Sequence, residues 1–463
     1  MPEWRGVSLG WERRAARYKC QPMQPVLMPP KRPFGFNVIG HFSAKGGLGI
    51  IARNVTKLVI AKGYPVAVYD IDQAARRADR DAEFQQYSVA EHKQLPYAIN
   101  LNVLSITVLP KFMLDNPELL TDETLNVGFF WWEMSVLPAI WIEALQVYDV
   151  LVAGSDFIRA TFDLNLPATL SVSASPVLSL PAEIPSSSAH SKRETGSIAF
   201  ICIVEPTSDP ERKNPFAAID AFHRAFGDDP RPRLIVKFNS ARLAEVPDHV
   251  YQKIRACCAS DSRIQLIEGN LTYPEVLSLY ASCDVFVALH RSEGLGLGLM
   301  EAMALGKPVI ATAWSGNMTF MNHTNACLVR YRLVPVSGTL PVYRKEFLGR
   351  DAMWAEPDLV EAANWMRTLA EDPNLRSAIG AKAANDMQKL EQRGQEAAYL
   401  DELRALWQYR ESAIGSPSVR RPNLNRLQQM LREQHASPPH LIFHSIQRFL
   451  ERHLLWRFRP LRR

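Results

Sequence analysis

The chain has 463 residues, a length for two domains, and with 47% hydrophobic and 22% charged residues its composition is that of an ordinary globular protein. No apolar run approaches the ~18 to 20 residues that cross a bilayer, and the opening MPEWRGVSLGWERRAARYKC lacks a secretory core, so export is not expected. Six cysteines without C-x-x-C spacing give no zinc motif and read as reduced thiols of a cytoplasmic protein, while the net charge of +5 hides a basic tail, with ten arginines against two glutamates from Ser416 to Arg463.

Residues 1–33 are irregular and proline-rich near their end, and read as an N-terminal extension. Phe34 to Gly40 is the first strand; it opens into HFSAKGGLG, and Gly47 to Ala61 follows as a helix with apolar residues at 48, 51, 55, 58 and 59 on one side. Pro65 to Ile71 is a second strand, 73–94 a polar surface excursion, Leu101 to Leu109 a third strand by its alternation, and Asn126 to Trp132 a fourth. Ala139 to Gln146 is a helix, and Asp149 to Gly154 a strand before a helix that Ser155 or Asp156 caps. Such alternation points to a doubly wound sheet over 34–180, with Trp131, Trp132, Glu133 and Met134 at the carboxyl end of a strand, where that fold has its ligand crevice.

PAEIPSSSAHSKRET, 181–195, has the composition of a linker. Gly196 to Val204 opens a second domain, expected over 196–392, and ERKNPFAAIDAFHRAF starts a helix near Asn214 with Pro215 in its first turn, so that Arg212 and Lys213 stand just past the end of that strand. Arg233 to Asn239 and Arg263 to Ile267 are strands, and Tyr273 to Ala281 is a helix. The most informative stretch follows, DVFVALHRSEGLGLGLMEAMALGKPVIAT from Asp284 to Thr312: a buried strand to Leu289, a loop in which Gly294, Gly296 and Gly298 alternate with leucines, a helix from Leu299 to Leu305 ended by Gly306, and a strand from Val309. Free backbone N–H groups at the start of that helix, around Gly294, Leu295, Gly296 and Leu297, would face a crevice at the carboxyl end of a parallel sheet, a seat for a diphosphate. Glu293 and Glu301 frame it, and carboxylates in such a place are suited to accept hydrogen bonds from sugar hydroxyls. Beyond it come the loop WSGNMTFM with Ser315, Gly316 and Asn317, then helices over 358–370, 374–390 and 396–409, the last within a segment, 393–415, that returns to the first domain. The tail, 416–463, reads as two short basic helices; Ile442, Ile446, Phe449, Leu450 and Leu454 share one face, which suits either an anionic membrane surface or packing on its own domain, and nucleic acid is disfavoured by the slightly acidic body.

Glu293-x7-Glu301 followed by Ala302-Met303-Ala304-x-Gly306-x-Pro308-Val309 resembles the signature of the retaining nucleotide-sugar glycosyltransferases of family 4, with SGNMTFM, WAEPD from Trp354 and ERKNP from Glu211 resembling a bacterial subgroup. The resemblance covers roughly residues 35 to 390. It implies the GT-B fold, two Rossmann-like domains facing across a cleft, and transfer of a sugar from a nucleotide-diphospho-sugar, a substrate rather than a cofactor, to a saccharide or lipid-linked acceptor with retention, in cell-surface polysaccharide or glycolipid assembly at the inner face of the membrane. It also implies a reaction without a metal. Carried onto this chain, it assigns Lys213 and Arg212 to the donor diphosphate, Glu301 to the ribose, Glu293 and Asn317 to the transferred sugar's surroundings, Gly46 and Gly47 to a loop meeting the donor from the opposite side, and Glu268 to Leu271 to the base. Two departures stand out: Glu205 occupies the place where the family's arginine precedes the lysine, and the first domain's cleft histidine is absent, leaving either Glu133 or His41 in its role. The competing readings are a GT-B-like nucleotide-sugar epimerase and a non-catalytic binding protein with a decayed site; a phosphorylase would need a pyridoxal lysine and greater length.

Overall fold

The computed structural model of the chain describes residues 32–44, 47–71, 83–121, 123–178, 180–181, 197–205, 208–238, 248–269, 271–412 and 424–436. Nearly all of the expected extension and linker, Gly46, Asn270, and the apolar face from Ile442 to Leu454 lie outside the described residues.

The first half runs β1 (Phe36–Gly40), α1 (Gly47–Ala61), β2 (Val66–Asp70), β3 (Ile99–Ser105), α2 (Leu109–Asp115), β4 (Leu125–Trp131), α3 (Ala139–Leu145), β5 (Val150–Ala153), α4 (Asp156–Asn165) and β6 (Leu170–Ser173). Its six strands lie in the order β2-β1-β3-β4-β5-β6, all parallel. Strands such as FNVIG are buried at every position because helices cover both faces, which is why they read as continuous apolar runs. Ser155 caps α4 by accepting from the Ile158 N–H, as its sequence position suggests.

The second half repeats the plan: β7 (Ala199–Val204), α5 (Pro210–Lys213), α6 (Pro215–Phe226), β8 (Arg233–Phe238), α7 (Asp248–Ala259), β9 (Ile264–Glu268), α8 (Tyr273–Ser282), β10 (Val285–Ala288), α9 (Leu297–Ala304), β11 (Val309–Thr312) and β12 (Cys327–Val329). The order is β12-β11-β10-β7-β8-β9, again all parallel. The strand order reverses between β7 and β10, so a crevice opens at their carboxyl ends. This architecture, two doubly wound α/β units, is the one the alternating sequence implies.

Three features depart from the sequence reading. The strand expected to Leu109 ends at Ser105, whose hydroxyl accepts from the Thr107 N–H and turns the chain into a helical turn and α2; apolar residues buried on both sides of that cap kept the alternation alive. Strands β6 and β12, at four and three residues, are too short to show a period. After β12 comes an antiparallel ribbon, β13 (Tyr331–Pro335) with β14 (Met353–Pro357), and the arm between them carries a short helix, α10 (Lys345–Leu348). That arm leaves its own sheet: Val336, Tyr343, Leu348 and Ala352 join the core of the first half beside Trp132 and Trp141.

The chain closes with α11 (Leu359–Glu371), α12 (Pro373–Glu396), α13 (Ala398–Ser412) and α14 (Leu424–Ala436). Ala397, at φ +46°, breaks α12 from α13. Helix α13 crosses back as expected, burying Tyr399, Leu400 and Leu403 in the first half's core and pairing Asp401 with Lys62 at 2.5 Å. Helix α14, the first of the two basic helices, packs on α2 and α3 through the fully buried Leu427. Among the described residues no helix is long and apolar enough to cross a membrane.

Candidate functional site at the switch point of the second sheet

At the end of β7 the chain makes the single turn of α5, capped by Asp209, whose Oδ1 accepts from the N–H groups of Glu211 and Arg212. At the end of the adjacent β10 it makes the loop 289–296. A backbone bond from the Arg291 N–H to the Arg212 carbonyl, 2.8 Å, docks the two together. Arg291 adds a clamp, donating to the Glu211 carbonyl and to Glu356 while its guanidinium lies over Trp354 of the WAEPD segment.

The result is a charge cluster. Lys213 Nζ lies 2.5 Å from Glu293 Oε1, and Arg212 Nη1 lies 3.3 Å from Glu293 Oε2. Burial by itself would raise the Glu293 carboxyl; the ammonium of Lys213 and the guanidinium of Arg212 outweigh it and bring it down to about 2. The two cations are not equivalent. Arg212 is 2% exposed and donates to the carbonyls of Ser208 and Ser292 as well as to Glu293, whereas the Lys213 side chain keeps 23% of its surface open. Arg212 therefore braces Glu293 from within the protein, and Lys213 is the cation a ligand can reach.

The loop that carries Glu293 is held by a neighbouring residue in unfavourable backbone geometry. Ser315 sits at φ +75°, its hydroxyl accepting from the Glu293 N–H at 2.8 Å, while the Gly316 N–H donates to the Glu293 carbonyl at 2.8 Å. Asp209 and Asn214, at either end of α5, are also at positive φ. Among the described residues, three of the four such non-glycine residues thus flank the cluster, each at a cost of ~1–3 kcal/mol that surrounding bonds must offset.

Helix α9 begins at Gly296, φ +96°, and Leu297 lies opposite Gly47, across from the first glycine loop. Gly294 has a different task from the ligand approach its sequence suggests. Its backbone abuts the Trp132 carbonyl, its own carbonyl accepts from Ser155 Oγ at 2.6 Å, and a side chain at Gly316 would collide with it. The first glycine of the loop is thus an interdomain contact. Leu295 and Leu297 line a small cavity between the halves with Trp131, Pro176 and Tyr399.

Glu301, within α9, is partnered by two tyrosines of α8. Burial raises its carboxyl to about 7, against the hydrogen bonds it receives from Tyr273 and Tyr280. Those tyrosines, seven apart on α8, share a face; that spacing was the signal by which the sequence could have revealed them. Asn317 is fully buried, its amide donating to the Thr312 carbonyl at 3.0 Å, so it shapes the loop from beneath. His41 is buried in the loop after β1, whereas Glu133 joins the cluster: Oε1 lies 3.7 Å from Arg212 Nη2 and Oε2 accepts from the Tyr343 hydroxyl at 2.8 Å. Its backbone carbonyl accepts from the Ser292 hydroxyl. Of the two candidates for the missing histidine's place, Glu133 is the one seen against Arg212.

Sequence reasoning missed His290 and Tyr343. His290 is buried, neither ring nitrogen meets a hydrogen-bond partner among the described residues, and burial brings its pKa down to about 4, which leaves a neutral ring beside Glu293. Among the described residues no group of three or more His, Cys, Asp or Glu is arranged to hold a metal.

Residues 227–335, which include Glu293, the glycine loop and Glu301, match the family model of glycosyl transferases group 1. Sulfoquinovosyl transferase SQD2 of Arabidopsis thaliana is 28% identical over 149 residues, 32% of this chain, and the match spans 25% of that protein's length. Among solved structures, sucrose-phosphate synthase from Thermosynechococcus elongatus aligns over 81% of this chain and 100% of its own, with a TM-score of 0.57 at 15% identity. Anabaena HepE, solved with UDP and glucose, aligns over 80% of this chain and 100% of its own, with a TM-score of 0.54 at 14% identity. At these identities the likeness is one of fold, and the chain is a GT-B protein that carries a glycosyl transferases group 1 segment at the switch point of its second sheet.

Proposed function

We propose that the protein is a glycosyltransferase that moves a sugar from a nucleotide-diphospho-sugar to a saccharide or lipid-linked acceptor, with retention of anomeric configuration and without a metal. The observation that carries this reading is the Lys213–Glu293 pair, 2.5 Å apart at the carboxyl ends of two neighbouring strands where the sheet order reverses, next to the start of α9. Departure of a nucleoside diphosphate builds negative charge on oxygen. In this reading Lys213 and the N–H groups at the start of α9 meet that charge, as donors held by the fold that need little reorganisation. Glu293, anionic at any working pH, accepts hydrogen bonds from the transferred sugar and stabilises positive charge developing at its anomeric carbon. Arg212 keeps Glu293 in place. Glu301 receives the ribose hydroxyls, sharing its oxygens with Tyr273 and Tyr280. The sulfoquinovosyl transferase of Arabidopsis and the UDP and glucose bound by the Anabaena protein support this donor class. Polysaccharide or glycolipid assembly, and a role for the basic tail at an anionic membrane surface in the cytoplasm, belong to the same proposal.

The test is a thermal-shift screen with UDP, GDP and ADP and their sugars, since a ligand of the native state raises the melting temperature by mass action. Kinetics on the active donor follow. Glu301→Ala is expected to raise the donor KM, and Lys213→Ala to suppress turnover. Wild-type kinetics in both variants would overturn the site. Isomerisation of a nucleotide sugar with no acceptor present would replace the reading by an epimerase.

A further inference from the structure

We propose that Tyr343, on the arm between β13 and β14, is a positioning residue of this site: its hydroxyl restrains Glu133 of the first half, so that Arg212 stays committed to Glu293 when the two halves are closed. The inference rests on the reading of Lys213 and Glu293 given above.

Two carboxylates compete for one buried guanidinium. Arg212 Nη1 is 3.3 Å from Glu293, and Nη2 is 3.7 Å from Glu133. Glu133 Oε2 accepts from the Tyr343 hydroxyl at 2.8 Å, which satisfies part of its charge and fixes its direction. The Tyr343 ring fits between the two halves. It stacks on Trp132 with centroids 5.6 Å apart and planes 9° apart, and the Arg212 guanidinium lies 5.3 Å from its centroid. One side chain thus touches the first half's Trp132 and Glu133 and the second half's Arg212.

The arm is tied to the cation-bearing turn by its own backbone. The Leu340 N–H donates to Asp209 Oδ2 at 2.6 Å, and Asp209 Oδ1 caps the turn that bears Arg212 and Lys213. The Gly338 N–H donates to the Tyr343 carbonyl at 2.8 Å, and a side chain at Gly338 would collide with Tyr343. Phe347 of the same arm packs edge-on against Trp141 of the first half. Separating the halves must therefore pull the arm from the first core or strain the Asp209 cap. Either way Tyr343 leaves Glu133, and the guanidinium is free to divide itself between two acids. Assembly of the site and closure of the halves become one event, and residues 336–352 are the part that links them.

The test is steady-state release of nucleoside diphosphate from the donor found by the screen, comparing Tyr343→Phe, Glu133→Gln and the double variant. Tyr343→Phe keeps the ring on Trp132 and removes only the hydroxyl. The expected result is a fall in kcat on the order of tenfold, the worth of one hydrogen bond to a charged acceptor, with the donor KM within about twofold. The double variant is expected to lose no more than Glu133→Gln alone, because an uncharged residue 133 leaves nothing to restrain. An unchanged kcat in Tyr343→Phe, or losses that multiply in the double variant, would overturn the inference while leaving the glycosyltransferase reading intact. Should Tyr343→Phe not fold, Tyr343→4-aminophenylalanine carries the test, since its ring still stacks and its amino group donates from the position of the hydroxyl. Near wild-type kcat supports the inference and a tenfold loss overturns it. A wild-type protein that neither binds nor turns over any nucleotide sugar removes the underlying reading, and this inference with it.

Discussion

Lys213→Ala isolates the physical claim on which the proposed chemistry depends. Glu293 is 6% exposed, and the 2.5 Å ion pair with Lys213 is the shorter of its two cationic contacts. Breaking a fully buried pair costs ~3–5 kcal/mol, but Lys213 is partly open to solvent and Arg212 remains, so a loss of ~1–2 kcal/mol of stability is expected. The pH dependence fixes the sign. A carboxyl brought from an ordinary 4.5 to about 2 in the fold contributes stability that is fully present above 4.5 and is lost as pH falls toward 2. Without Lys213 the folded value rises. The stability gap between wild type and variant, measured by urea unfolding, should therefore be widest above pH 4.5 and close as the pH approaches 2. Turnover is expected to respond far more strongly. If Lys213 meets the charge of the departing diphosphate, its removal costs ~10²–10³ in kcat, the measured worth of one oriented donor at a developing anion. The assay is release of nucleoside diphosphate under donor saturation. A variant that keeps kcat within threefold of wild type, with the stability loss present, would refute the catalytic role and leave Lys213 as a structural partner of Glu293.

Glu301 makes the opposite pH prediction. Its carboxyl is raised from 4.5 to about 7, so the fold binds a proton that the unfolded chain has lost, and the stability cost of Glu301 grows from pH 4.5 to about 7 and is constant above. Glu301→Gln should thus gain on wild type across that window, as followed by unfolding at several pH values, while the donor KM of the wild type falls as the pH rises through about 7 and that of the variant does not. Gly316→Ala is expected to lower the melting temperature and weaken donor binding together, because the added carbon meets the Gly294 carbonyl, a backbone atom that has nowhere to move. If the melting temperature is unchanged, the closed arrangement of the 294 and 316 loops is wrong. Leu427→Ala should cost ~2–4 kcal/mol in urea unfolding, since a fully buried leucine leaves a cavity between α14 and the helices beneath it; a neutral result would mean that α14 is not docked on the first half.

Much of this molecule was legible in the sequence because its signals are local. Buried parallel strands are short apolar runs, Ser155 and Pro215 mark helix starts by chemistry that acts within one turn, and Gly296 with Gly306 brackets α9 through backbone conformations other residues resist. The pairing of Arg212 and Lys213 with Glu293 was legible in a weaker sense: each stands at the end of a strand, and doubly wound folds bring such ends together. Where two signals overlapped, as at Ser105, alternation was carried past the point at which a hydroxyl cap had already ended the strand.

The rest had no local trace. Nothing near Arg212 distinguishes it from Lys213; Arg212 is enclosed by the loop around Ser292 and by Tyr343 of the arm from Val336 to Ala352, segments that come eighty and more residues later in the chain. Gly294 reads as a residue that lets a ligand approach, and the fold presses it against Trp132 instead. The sequence by itself determined the two doubly wound sheets and the strand ends where charge gathers, since periodicity and capping act over a few residues. Only the tertiary structure decided which cation is free, which acid it faces and which half supplies the brace, because those follow from burial, and burial is set by segments that meet only after the chain has folded.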